Sequence, residues 1–148
     1  MLKRPYSRGF SLAEILLAVA ILAFALCGIL AMHTTCFVLM ATSKNVNIAT
    51  NAAQGLIEEI RTTSFTRIVS DYNGLNFIVN DIPRSRGVVY VDDTDLELLE
   101  VTISVCWNQG NRIIGEDTNL NGVLDAGEDA NGNGIIDSPV ELVTRIAN

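Results

Sequence analysis

The chain has 148 residues, of which 49% are hydrophobic, and a formal net charge of −7; that length fits one small domain and a terminal anchor. The acidic balance argues against a nucleic-acid backbone as partner, which needs a basic face, and suits a cation. The apolar residues are unevenly spread: much of the fraction lies between Leu12 and Met40, and the rest of the chain is polar and acidic.

Met1 to Gly9 is short and basic, with Lys3, Arg4 and Arg8, and such charge stays on the cytoplasmic side of a membrane. From Leu12 to Met32 about 21 residues carry a single charge, enough to cross a bilayer core as a helix. That charge, Glu14, lies close to the start of the span, where a carboxylate costs free energy. A secretory signal would find small-residue cleavage patterns at Ala18-Val19-Ala20 and Ala23-Phe24-Ala25. It would also place Glu14 inside its apolar core, and the apolar run continues past both patterns. A plain uncut anchor explains the length but not the order Gly-Phe-Ser-Leu-x-Glu.

The block RGFSLAEILLAVAILAFALCGIL resembles the class III signal of type IV pilins and secretion pseudopilins. The resemblance implies that a membrane-embedded prepilin peptidase cuts after Gly9 and methylates the new amino terminus, Phe10. It also implies that the helix leaves the membrane to pack with its neighbours in a filament. Gly9, lacking a Cβ, suits close approach to the peptidase. Loss of the leader removes three cations and no acid, so the mature chain is more acidic still. By the same resemblance, Glu14 pairs with the Phe10 ammonium of an adjacent subunit; two charges costly alone in an apolar medium become tolerable together. The bland alternative is that Glu14 snorkels to the interface. Many major pilins carry a proline partway along this helix. Here none lies between Phe10 and Thr63, and Gly28 is the residue suited to loosen the membrane half.

Beyond His33, which reads as an interfacial residue, the pattern turns amphipathic. Val38, Ala41, Ile48, Ala52, Leu56 and Ile60 recur at helical steps, with Glu58, Glu59 and Arg61 mainly off that stripe. One helix is expected from Phe10 to about Thr63, despite Gly55, which costs about 1 kcal/mol relative to Ala. The stretch AAQGLIEEIR is similar to the PilV kind of minor pilin and the I-type secretion pseudopilin. Ser64 to Arg86 connects helix to sheet through a turn at Asn73-Gly74, with a short strand at Phe77 to Val79.

Strands are expected at Gly87 to Asp92, Leu98 to Trp107, Arg112 to Gly115 and Val140 to Ile146. In the second of these Leu99, Val101, Ile103, Val105 and Trp107 share one face, which should pack on the helix, while Glu100, Thr102, Ser104 and Cys106 share the other. Cys27 reads as a small buried residue of the apolar run. A Cys36–Cys106 disulfide is disfavoured because Cys106 points away from the helix that carries Cys36. No cysteine pair has metal-ligand or redox spacing.

The most informative chemistry lies from Asp117 to Asp137. Asp117, Asn119, Asn121, Gly122, Asp125 and Glu128 match every fixed position of the calcium-loop pattern D-x-[DN]-x-[DN]-G-x5-E. Calcium is a hard cation that takes six to eight oxygens. Gly122 allows the sharp turn, the Val123 carbonyl supplies a main-chain oxygen, and Glu128 offers both carboxylate oxygens. A step of twelve repeats the pattern at Asp129, Asn131, Asn133, Gly134 and Asp137 but puts Val140 where the last carboxylate belongs. Glu141 lies one residue later, and the second loop is either weaker or borrows an oxygen from the first. No Lys or Arg lies between Ile113 and Leu142 to neutralise these acids. The same residues are also good turn-formers without metal. The extended flanks make the tandem similar to thrombospondin type 3 repeats, which implies calcium binding and rigidity. Two asparagines per loop lower the ligand charge and point to the weak extracellular class, with a dissociation constant on the order of 0.1–1 mM.

These expectations combine into an α+β protein: a long membrane-spanning helix packed on a small antiparallel sheet, the pilin fold. The divisions are a leader over 1–9, a transmembrane half over 10–33, an amphipathic half over 34–63 and a sheet domain over 64–148 that includes a calcium loop over 116–138. The expected function is a minor pilin of a type IV pilus. Its partners would be other pilin subunits, prepilin peptidase and the inner membrane, with the sheet domain in the periplasm and no direct nucleic acid. The alternatives are a minor pseudopilin of a type II secretion system and an uncut, membrane-tethered calcium-binding adhesion module. With His33 the only histidine and no phosphate loop or transition-metal cluster, an enzyme is not expected.

Overall fold

The computed structural model describes residues 9–148; residues 1–8, where the expected leader with Lys3, Arg4 and Arg8 falls, lie outside the described residues. In chain order the elements are α1 (Leu12–Thr62), α2 (Phe65–Tyr72), β1 (Asn76–Phe77), β2 (Ser85–Asp95), β3 (Leu98–Gln109), β4 (Arg112–Ile114) and β5 (Glu141–Ala147). The chain divides into two compact units between Ala41 and Thr42.

The first unit is the apolar part of α1. Ser11 and Glu14 start it with a reciprocal cap: Ser11 N donates to Glu14 Oε2 at 2.8 Å, and Glu14 N donates to Ser11 Oγ at 3.3 Å. Two main-chain donors that a helix start leaves unpaired are thereby satisfied. Every residue from Gly9 to Ala41 is exposed. Cys27, expected to be buried, is therefore exposed too, as is Cys36. Among the described residues α1 is the one helix that is long and apolar enough to cross a membrane, by length and composition.

The second unit is built on the other half of α1. Ala49, Ala53, Ile57 and Ile60 are its buried residues, and they share a core with Leu99, Val101, Ile103, Val105 and Trp107 of β3. That is the face of β3 the alternation predicts. The helical stripe differs from its expectation. Val38 and Ala41 are exposed, and Ile48, Ala52 and Leu56 only flank the buried line. Successive steps of four drift about 40° around a 3.6-residue helix, so a stripe extended by fours walks off the contact face. The observed line closes with a step of three, Ile57 to Ile60, which brings it back.

The stretch after Ser64, which reads in sequence as a connection, forms α2, and the short strand expected at Phe77 to Val79 is β1, Asn76–Phe77. Its Ile68 and Tyr72 are buried, and the Tyr72 hydroxyl donates to Glu59 Oε1 at 3.1 Å. The sheet is antiparallel, ordered β1-β2-β3-β4, with β5 also on β3. β2 pairs with β3 from Ser85↔Trp107 to Asp95↔Leu98. Along the other edge of β3, β4 pairs with Trp107 to Gln109 and β5 with Leu98 to Ser104. Val105 N donates to Val140 O at 3.0 Å, bridging the gap. β4 and β5 thus act as one strand interrupted by residues 115–140, and the acidic tandem is that interruption.

Candidate metal centre

The interruption folds back over the sheet face opposite α1, where Ile136, with Leu120 and Leu124 beside it, joins Val88, Tyr90 and Cys106 in a second, smaller core. Polar contacts that fix it there include Arg86 Nε donating to Leu120 O at 3.2 Å, Ile136 N donating to the Tyr90 hydroxyl at 3.0 Å and the Ser138 hydroxyl donating to Val105 O. Its ends are closed by Glu116 N donating to Asp137 O at 2.9 Å. Gly115 stands at this closure with φ +102, and a Cβ there would overlap the Cys106 thiol. Cys106 is buried and unbridged, facing away from α1 as its alternation predicts. Burial, followed by the nearby Asp117 charge, pushes its thiol above the ordinary range.

Within the first loop Asp117 is fully buried. Its Oδ1 accepts Asn121 N at 3.0 Å and its Oδ2 accepts Gly122 N at 2.8 Å. Asn119 Oδ1 accepts Asn121 N at 2.9 Å, and Asn121 Oδ1 accepts Val123 N at 2.6 Å. The amide groups of Asn119 and Asn121 both donate to Asp125 Oδ2, at 2.7 and 2.8 Å. Gly122 is required twice over, by its φ of +78 and because a Cβ would overlap Asn76.

The second loop repeats these bonds at the twelve-residue step. Asp129 Oδ1 accepts Asn133 N at 3.1 Å, and its Oδ2 accepts Gly134 N at 3.0 Å. Asn131 Oδ1 accepts Asn133 N at 2.9 Å, and Asn133 Oδ1 accepts Ile135 N at 3.0 Å. The amides of Asn131 and Asn133 both donate to the Asp137 carboxylate. The repeat seen in the sequence is therefore a repeat of geometry.

The last carboxylate of each loop shows how the second is completed. Glu128 closes the first loop: its Oε1 accepts Thr118 N at 2.8 Å and Thr118 Oγ1 at 2.5 Å, and its Oε2 accepts Asp125 N at 3.1 Å. The Thr118 hydroxyl above all, then main-chain N–H groups, holds Glu128 below the usual carboxylate range against the opposing effect of burial. Glu116 closes the second loop, its Oε1 accepting Ala130 N at 3.2 Å and its Oε2 accepting Asp137 N at 3.1 Å. Ala130 and Asp137 are the twelve-residue counterparts of Thr118 and Asp125. Glu141 instead accepts from Ser104 Oγ at 3.4 Å, and burial together with the Asp137 charge raises its carboxyl above the ordinary value. Sequence reading missed Glu116 because a linear pattern looks forward for its last ligand. The signal was present, since Glu116 lies twelve residues before Glu128.

None of the ion pairs among the described residues involves a loop carboxylate; they are Arg61–Glu58, Arg67–Asp71 and Arg145–Glu100. Nor, among the described residues, is any group of three or more His, Cys, Asp or Glu side chains arranged to hold a metal ion. A calcium loop mixes carboxylate, amide and main-chain oxygens, so three carboxylates need not converge in one. The side chains present, carboxylates and amides on one loop, are of the kind a hard cation takes; Asp125 and Asp137 are each approached by two side-chain amide nitrogens, and the oxygens of those amides accept main-chain N–H groups.

Comparison with protein-family models, with curated proteins and with solved structures returns no match. The pilin and thrombospondin resemblances therefore rest on the residues quoted for them.

Proposed function

We propose that the chain is a type IV pilin-like subunit, most specifically a minor pilin of a type IV pilus. Prepilin peptidase would cut it after Gly9 and methylate Phe10, and the apolar half of α1 would hold it in the bacterial inner membrane until assembly. The observation that carries this reading is the junction at the start of α1. Gly-Phe-Ser-Leu-x-Glu opens a helix whose apolar residues from Phe10 to Met40 are all exposed, and whose later turns pack on an antiparallel sheet. Side chains such as Phe24, 84% exposed, need lipid or neighbouring subunits, since burying each is worth about 1.5–3 kcal/mol.

The tandem loop is proposed to bind calcium. The first ion would be held by Asp117, Asn119, Asn121, the Val123 carbonyl, Asp125 and Glu128, and the second by Asp129, Asn131, Asn133, Asp137 and Glu116. Bound calcium supplies charge neutralisation among the carboxylates. The chain's own part is to hold the loop across an interrupted edge strand, so the ion acts as a staple rather than a switch.

One observation favours the uncut tethered module. Glu14 already has a local task in capping α1, which gives it a reason to be present without any partner subunit. The two readings separate by charge, because glutamine also serves at this position of a capping box. In a strain deleted for the gene, pili are counted and a type II secreted enzyme is assayed, with complementation by wild type, Glu14→Ala and Glu14→Gln. The pilus reading predicts lost or shortened pili, intact secretion, and no rescue by either variant. Rescue by Glu14→Gln would reduce Glu14 to a cap, unchanged pili and secretion in the deleted strain would favour the tethered module, and lost secretion with normal pili would move the subunit to a pseudopilus.

A further inference from the structure

The second loop carries two Asn-Gly bonds, Asn131-Gly132 and Asn133-Gly134. The first loop has Asn121-Gly122, and the end of α2 has Asn73-Gly74. An asparagine followed by glycine is prone to cyclise, because glycine has no side chain to hinder attack by its own nitrogen. The glycine nitrogen loses its proton and attacks the asparagine Cγ. The N–Cγ bond forms, the Cγ–Nδ2 bond breaks, and Nδ2 leaves as ammonia with the proton. Water then opens the imide at one of its two carbonyls, leaving aspartate or isoaspartate.

An N–H that donates a hydrogen bond is slow to lose its proton and is held away from Cγ. All four glycine nitrogens donate, but to different guards. Gly74 N donates to Val89 O at 2.9 Å within the sheet domain. Gly122 N donates to Asp117 Oδ2 at 2.8 Å, and Asp117 is fully buried. Gly132 N and Gly134 N both depend on one carboxylate, accepted by Asp129 Oδ1 at 2.6 Å and Oδ2 at 3.0 Å. Both of those glycines and both asparagines are exposed, and Asp129 is half-buried.

We propose that the second loop is a site of spontaneous deamidation at Asn131 and Asn133, gated by the Asp129 carboxylate. One opening of Asp129 releases two reactive bonds, whereas Asn121 is released only when a buried carboxylate is unseated. Each event exchanges a neutral amide for a negative charge, and isoaspartate also inserts a methylene into the loop backbone. The inference needs only these hydrogen bonds and stands apart from the calcium reading.

The test is a time course on the full chain in detergent micelles, with chelator present so that no bound cation enters. Peptide mapping by mass spectrometry follows each Asn-Gly bond, and the urea-unfolded chain gives the unguarded rate. All four bonds should react at similar rates when unfolded. In the folded chain all should slow, Asn131 and Asn133 least. Asp129→Ala should speed those two by about tenfold, the effect on an opening equilibrium of one charge-assisted hydrogen bond, with Asn121 unchanged. The gate is overturned if Asn121 keeps pace with Asn131 and Asn133 in the folded wild type, or if Asp129→Ala leaves their rates unchanged. Equal acceleration of Asn121 in that variant would also overturn it, by showing that the whole tandem opens together.

Discussion

Glu116 shows how a residue outside a linear pattern completes it in space. The twelve-residue period places Val140 at the end of the second loop, and an apolar side chain there packs into the core instead. The strand interruption brings the two ends of the tandem together, so a carboxylate that precedes the first loop closes the second. Glu116→Ala removes the acceptor of two main-chain N–H groups. It should cost about 1–3 kcal/mol, read as a lower melting temperature of the full chain in detergent. Under the calcium proposal, titration calorimetry should find one ion bound where wild type binds two. Two ions in Glu116→Ala and one in Glu141→Ala would instead assign the closure to Glu141. The first loop was legible residue by residue because its ligands are local. The closure of the second was not, because it depends on the contact between positions 116 and 137.

Among the elements, those with strong periodicity were legible. β3 alternates cleanly, and its inward face matches the expectation at every position from Leu99 to Trp107. α2 was not legible, because it is only eight residues long and helices so short owe their stability to tertiary packing rather than propensity. Here that packing is supplied by Ile68 and by the Tyr72–Glu59 contact with α1. The shift of the α1 stripe toward Ala49 and Ala53 has an energetic consequence. Both alanines are 0% exposed, and small side chains let the helix approach the sheet closely. Ala49→Leu should therefore destabilise the fold by about 1–3 kcal/mol through overpacking. Ala41→Leu, at an exposed position that the sequence stripe counted as core, should leave the melting temperature unchanged. Equal effects at the two positions would restore the original stripe.

For the whole molecule, two burdens are handled in different places. The apolar part of α1 is exposed at every described residue up to Ala41, so its stability comes from surroundings that the sequence signal at Gly9 and Phe10 is proposed to select. The sheet domain carries an acidic insertion of about 25 residues, a length of irregular chain that is uncommon in a compact domain unless it has a function. If calcium occupies both loops at ten times their dissociation constant, each ion adds about 1.4 kcal/mol. Chelation should then lower the melting temperature of the full chain by about 5–10 °C, with magnesium failing to restore it because magnesium demands a stricter octahedral site. No change on chelation would leave the loop a hydrogen-bonded turn array without metal.

The central claim is that the chain is a processed filament subunit, and the most direct measurement is the mass and sequence of its amino terminus after expression in cells with and without prepilin peptidase. Processing predicts a chain that begins at methylated Phe10 when the peptidase is present and at Met1 when it is absent. A chain that keeps Met1 in both, or that begins after Ala20 or Ala25, would contradict it.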